Sequence, residues 1–293
     1  MIQNVKPKLS SQVRGLFAPA IEYEIRNTTG DWSKYFGQWE GQRKDWFDTS
    51  CCWAYAGNEN LEDQLEFLMK TGRFSYEDLE WFNKNGYIDE DGDFYLSRRF
   101  IPIISGRRDN GNDEAEFWRL TRSYGAIPSK LLPYTTIEEY FDESKVTNEM
   151  YALGLEFLKR VDIQYKELGT RFKAKDIHAF KTALFQSELQ IGIPVPVVDT
   201  WTNWNKPKVK WDGTKIAAHS VCLYKYDDVT DPEYPFYIYD QYNPMLKQLS
   251  KDYYVPIATW PVVNPKSPVM SNPVSQLTLG ARIWRAIYEY LFG

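Results

Sequence analysis

The chain has two histidines, three cysteines and no long hydrophobic run, and each scarcity removes a class of function. With so few histidines and no C-x-x-C pair, it lacks the ligand set of a zinc site, and no metal or other cofactor is expected. Cys51, Cys52 and Cys222 cannot build a disulfide framework, which favours a reducing compartment. No window approaches the roughly 18 apolar residues of a spanning helix, so no membrane span is expected. The opening "MIQNVKPKLSSQVRGLF" lacks the apolar core of about 7–15 residues that marks a signal peptide. A cytoplasmic protein, not one secreted by a signal peptide, is the expectation. Lys and Arg number 35 against 40 Asp and Glu, giving a net charge of −5 and a pI near 5.3. That sign argues against a nucleic-acid partner. Internal repeats and low-complexity tracts are also missing.

What is present describes a globular protein. Hydrophobic residues make up 43% and charged residues 26% of the 293, enough for one large domain or two lobes around a shared interface. The 11 Trp, 21 Tyr and 16 Phe are core and groove material. The first two-thirds reads mainly helical. A helix is predicted from about Ser50, with Trp53, Leu61, Leu65 and Leu68 on one side and Gly72 as its stop. Further helices are predicted from Ser75 to Gly86, after the Thr136/Glu139 capping box, over about 147–160, and through "AKDIHAFKTALFQSELQIG". "DEDGDFYLS" supplies an Asp-Gly turn; its glycine comes too early for an EF-hand loop.

After residue 193 the texture changes. "PVPVVDT", "HSVCLYKY", "PFYIYD" and "DYYVPIA" are short, β-branched and aromatic, and are separated by Pro, Asp and Asn. This implies an α+β domain over 1–260, with a helical lobe at about 45–190 and an antiparallel β lobe at about 191–260. The remaining 261–293 reads as a proline-rich linker and a C-terminal amphipathic helix, with Ile283, Ile287 and Leu291 recurring every four residues. That helix either packs on its own domain or docks a protein partner or a second copy through residues 274–292.

A catalytic thiol needs a base, because the thiolate is the nucleophile. Of the two histidines, His178 sits mid-helix in "KDIHAFK". His219 opens a strand in "AAHSVCLYKY", and the next strand ends in "YIYDQY". Neighbouring strands could bring Asp240 to His219, holding the imidazole in the tautomer that faces a thiol.

The segment "SCCWAYA" resembles the nucleophile segment of the papain-like (C1) cysteine peptidases, in which Cys-Trp-Ala-Phe follows a small residue. The resemblance continues in order through "YLSRRF", "NGNDEAEFW", "YGAIPSKLLPY" (with Lys130 in place of the usual Glu), "FKTALFQSELQIGIPVPVV", "AHSV" and "IYDQY". It implies a papain-like two-lobe fold, with Cys52 as nucleophile on the helical lobe and His219 and Asp240 on the β lobe. Cys51 fills the small-residue slot as packing. The separation of Cys52 from His219 exceeds the family's usual spacing of about 130–150, which implies an insertion within 135–170. The family's disulfide cysteines are missing, and no propeptide-like helical region is expected ahead of the motif. Asp240 replaces the usual Asn, and Tyr242 stands where a shielding Trp is usual. The family's oxyanion-hole Gln lies six residues before the nucleophile, but here that position is Trp46 and the candidate is Gln42. The pattern of "WEGQRKDWFDTSCC" is most similar to divergent papain-like proteins of tailed bacteriophages.

The implied activity is a cysteine endopeptidase acting on a protein or peptide through a thioester acyl-enzyme. Cys52 at a helix start would favour the thiolate. The Cys52 N–H and the Gln42 amide would hold the oxyanion, and the substrate would lie in the cleft bordered by Gly111, Asn112 and Trp53. Two alternatives stay open: an inactive papain-like structural or binding protein of a phage particle, and a thiol amidase acting on peptidoglycan.

Overall fold

The computed structural model describes residues 23–106, 111–168, 177–195, 204–211, 213 and 217–267. The helix expected within 274–292 lies outside the described residues, as do residues 196–200 of "PVPVVDT".

Helix α1 (Cys52–Lys70) begins two residues after Ser50, which adopts a φ of 52°, a left-handed turn uncommon for a residue with a side chain. The Asp48 carboxylate holds this turn by accepting the Ser50 N–H at 2.8 Å. Helix α2 (Tyr76–Asn85) has the expected ends, Ser75 capping the Asp78 N–H and Gly86 in the left-handed conformation. Helix α3 (Phe100–Ser105) follows "YLSRR", and α4 (Glu114–Tyr124) is capped by Asp113. The Thr136 cap opens only a short α5 (Ile137–Tyr140), and Thr147 opens α6 (Asn148–Phe157).

Among the described residues, seven strands form one sheet in the order β1-β7-β2-β4-β5-β6-β3. They are β1 (Val161–Glu167), β2 (Leu189–Val195), β3 (Lys208–Val209), β4 (Ala217–Tyr226), β5 (Phe236–Tyr239), β6 (Leu246–Leu249) and β7 (Ile257–Pro265). Every pairing is antiparallel except that of β3 with β6. The expected α+β architecture is present, with a helical region and a sheet.

Three boundaries differ. Helix α7 (Ile177–Leu184) ends well before Gly192, because "LQIGIPV" is buried along its whole length and pairs with β4 and β7. The linker expected from residue 261 starts inside β7, whose prolines sit in register with β1: Tyr165 opposite Pro261 and Val161 opposite Pro265. β1 itself lies in the stretch read as helical, where its alternation of buried and half-exposed residues spans only four positions.

The largest departure from amphipathic expectation is α1. Every residue from Trp53 to Leu68 is buried, polar ones included, because the sheet covers one side while α4 and the 94–98 segment cover others. Its buried polar groups serve chain segments that would otherwise be unpaired. Glu66 accepts from the Phe94 N–H, Glu62 from the Leu96 N–H and the Arg98 guanidinium, and Gln64 from the Val263 N–H. Among the described residues no helix is long and apolar enough to cross a membrane.

Candidate active site

Cys52 is the first helical residue of α1 and is partly exposed, whereas its neighbours are buried. Cys51 turns inward beside the Tyr140 hydroxyl, and Cys222 on β4 donates its thiol to the Ala56 carbonyl at 3.0 Å. Burial pushes the Cys222 thiol well above its usual range, so it is an inert core group.

His219 is the third residue of β4, in register with Ile193 of β2. Asp240 directly follows β5, which pairs with β4, so strand pairing brings the two side chains together. Nε2 of His219 meets Oδ1 of Asp240 at 2.7 Å. The other side of the ring hydrogen-bonds Cys52. Burial would depress the imidazole, but the Asp240 charge and hydrogen bond, aided by Cys52, push it up to about 10. The ring is therefore an imidazolium at neutral pH. Asp240 is held below the usual carboxylate range despite complete burial, by His219 and then by Lys247.

Two aromatic rings enclose this pair. Tyr242 lies tilted against the imidazole with centroids 5.2 Å apart, and Trp204 presents its edge at 5.6 Å. Trp204 was not foreseen, because it stands in a polar stretch with no strand or helix periodicity.

Gln42 is buried and joins the same cluster. Its Nε2 donates to Asp48 Oδ1 at 2.9 Å and to the Tyr242 hydroxyl at 2.6 Å, while Tyr242 donates to Asp48 Oδ2 at 2.5 Å. Both amide protons are thus engaged, and oxyanion donation would require one of them to change partner.

Gly111 and Asn112 lie just before the Asp113 cap of α4. A side chain at Gly111 would meet open space, consistent with a surface along which a chain could lie, though its φ of 64° favours glycine. Trp53 corrects the expectation of a cleft-facing contact. It is 1% exposed and packed in the core, because the helix turn after Cys52 carries it inward.

Further groups at this site escaped the sequence reading. Glu114, the first residue of α4, is buried beside Ser220 and His219, and burial raises it to about 7. Gln190 of β2 ties the two regions together, donating to the Trp53 carbonyl and the Ser220 hydroxyl and accepting from the Trp118 indole. Lys247 of β6 salt-bridges Asp240. Among the described residues no group of three or more His, Cys, Asp and Glu is placed to hold a metal ion.

No protein-family model and no curated protein matches the sequence. Solved structures do match. The ragweed pollen allergen Amb a 11, a cysteine protease in its proform, aligns with 79% of this chain at a TM-score of 0.51 and 13% identity. A structure from work on the mite allergens Blo t 1 and Der p 1 aligns with 83% at 0.51 and 14%. The clostridial cysteine protease Cwp84 aligns with 80% at 0.50 and 13%. The chain spans 64% of the ragweed chain, 73% of the mite chain and 56% of the clostridial chain. The order of helices and strands, and the likeness to these cysteine proteases, establish that this chain has the papain-like fold.

Proposed function

We propose that the chain is a cysteine endopeptidase that hydrolyses peptide bonds through Cys52, His219 and Asp240. The observation that carries this reading is the clamp on His219: Asp240 holds Nε2 at 2.7 Å, so the opposite face of the ring meets a partly exposed thiol at a helix start. The Cys52 sulfur attacks the substrate carbonyl carbon. The resulting oxyanion is held by the Cys52 N–H, one of the donors that a helix start leaves unpaired, and by the Gln42 amide after it exchanges a partner. His219 gives its proton to the leaving amine, the C–N bond breaks, and a thioester remains. A water molecule, deprotonated by His219, hydrolyses the thioester and restores the pair. The substrate strand runs past Gly111 and Asn112. A cytoplasmic setting, in which Cys51, Cys52 and Cys222 stay reduced, belongs to the same reading.

The test combines a thiol-directed active-site probe with two substrates, an unfolded protein and cell-wall fragments. Selective labelling of Cys52 and cleavage of the unfolded protein, both lost in Cys52→Ala, is the expected result. Cleavage of cell-wall fragments alone would make the chain an amidase. An unreactive Cys52 would make it a non-catalytic structural or binding protein. The engagement of both Gln42 amide protons favours that last reading.

A further inference from the structure

Asp240 stands between two cations. Oδ1 faces His219, while Oδ2 accepts from Lys247 Nζ at 2.5 Å. Lys247 lies on β6, opposite Ile238 of β5, and its side chain is fully buried. Its other two protons go to the Tyr242 carbonyl at 2.6 Å and the Pro244 carbonyl at 2.7 Å. The ammonium also lies 5.2 Å from the centre of the Trp204 ring. All three donors are used, and the same contacts hold the loop that carries Tyr242. A buried lysine with a complete donor set, one bond away from a histidine–carboxylate pair, needs a reason, since burying an ammonium is unfavourable unless it is paired.

We propose that Lys247 is a positioning residue of the active site: its ammonium offsets part of the Asp240 charge and fixes the carboxylate with Oδ1 on His219, so that the imidazolium proton is held less tightly than a lone buried carboxylate would hold it. This rests on the Cys52–His219–Asp240 reading and explains a feature that reading leaves open, a carboxylate where a neutral amide would hold the ring. A lone buried carboxylate would bind the imidazolium proton too tightly for ready transfer to a leaving amine. Among the described residues, the other charged or titratable groups facing His219 are Cys52 on α1, Glu114 on α4 and Tyr242 in the loop after β5. None of these touches the far oxygen of Asp240, which Lys247 holds.

The test follows the His219 ring by NMR titration, which is simple in a chain with two histidines, alongside the pH profile of hydrolysis. Wild type, Lys247→Met, Asp240→Asn and the double variant Asp240→Asn/Lys247→Met are compared. In Lys247→Met the His219 midpoint and the alkaline limb should both rise by about one pH unit, with turnover down about tenfold. Asp240→Asn alone strands the buried ammonium, and should be at least tenfold less active than the double variant or fail to fold where the double variant folds. An unmoved His219 midpoint in folded Lys247→Met would overturn the proposal. So would an Asp240→Asn variant as active as the double one, or a double variant that does not fold. The ring titration reads the pair without any substrate. An unreactive wild-type Cys52 therefore defeats the peptidase reading, whereas a reactive one with an unmoved ring defeats only this inference.

Discussion

Gln42 Nε2 lies 2.6 Å from the Tyr242 hydroxyl, joining the loop before α1 to the loop after Asp240. The bond can be a catalytic donor at rest or a structural tie, and two substitutions separate these roles. Tyr242→Phe frees one Gln42 proton while keeping the ring against His219. If Gln42 serves the oxyanion, Gln42→Ala lowers kcat by about 10²–10³ and Tyr242→Phe by less than about tenfold. Equal losses in both variants would assign Gln42 to holding the loop.

Thiol reactivity should follow exposure and environment. A limiting alkylator near neutral pH is expected to modify Cys52 before Cys51 and Cys222, which are 3% and 0% exposed. Peptide mapping that finds either buried thiol labelled first would contradict the assignment.

The two histidines should behave oppositely on substitution. His219→Ala removes the proposed base and should lower hydrolysis by about 10²–10⁴. His178, exposed on α7, should be replaceable without effect. In the wild type the imidazolium persists until the pH passes the folded value of about 10, so hydrolysis should hold through neutral pH and fall above about 10. A limb near the ordinary imidazole value would show that Asp240 does not support the ring.

Stability should decline as pH rises. Buried carboxyl groups along α1 and at the start of β2 are lifted by burial, Glu62 and Glu66 to about 7 and Glu188 to about 8, with Asp63 raised beside Glu188. Each binds its proton more tightly folded than unfolded, so its contribution is fully present below the unfolded value, 4.5 for the Glu side chains and 3.8 for Asp63, and is lost as pH climbs toward 8. Glu188→Gln removes one ionisation and keeps a hydrogen bond to Asp63. It should match wild type near pH 5 and exceed it by on the order of 1–3 kcal/mol near pH 8. Parallel denaturation curves at both pH values would refute this.

Much was legible because it is local. Ser75 and Gly86 bound α2 through a cap and a left-handed residue, and each acts within a few positions of chain. The β character of "HSVCLYKY" and "PFYIYD" is likewise carried by residue type and spacing, which is why His219 and Asp240 could be placed on neighbouring strands before the pairing of β4 with β5 was known. β1 was not legible: its outer half is exposed, and only its partner β7, distant in sequence, makes it a strand.

By its own residues the sequence determined the helix and strand segments whose signals are local, the scarcity of bases that narrows the partner of Cys52 to one of two histidines, and the order of motifs that points to this fold. Tertiary structure decided which polar groups are buried and what they meet. Lys247 looks in sequence like an ordinary surface residue, and Gln42 like an oxyanion donor with no stated partner. Only the folded chain places the Lys247 ammonium on Asp240 and commits both Gln42 amide protons to Asp48 and Tyr242. The reason is physical: capping and periodicity arise from neighbours along the chain, whereas the charge a buried side chain feels comes from groups that only folding brings within hydrogen-bond distance.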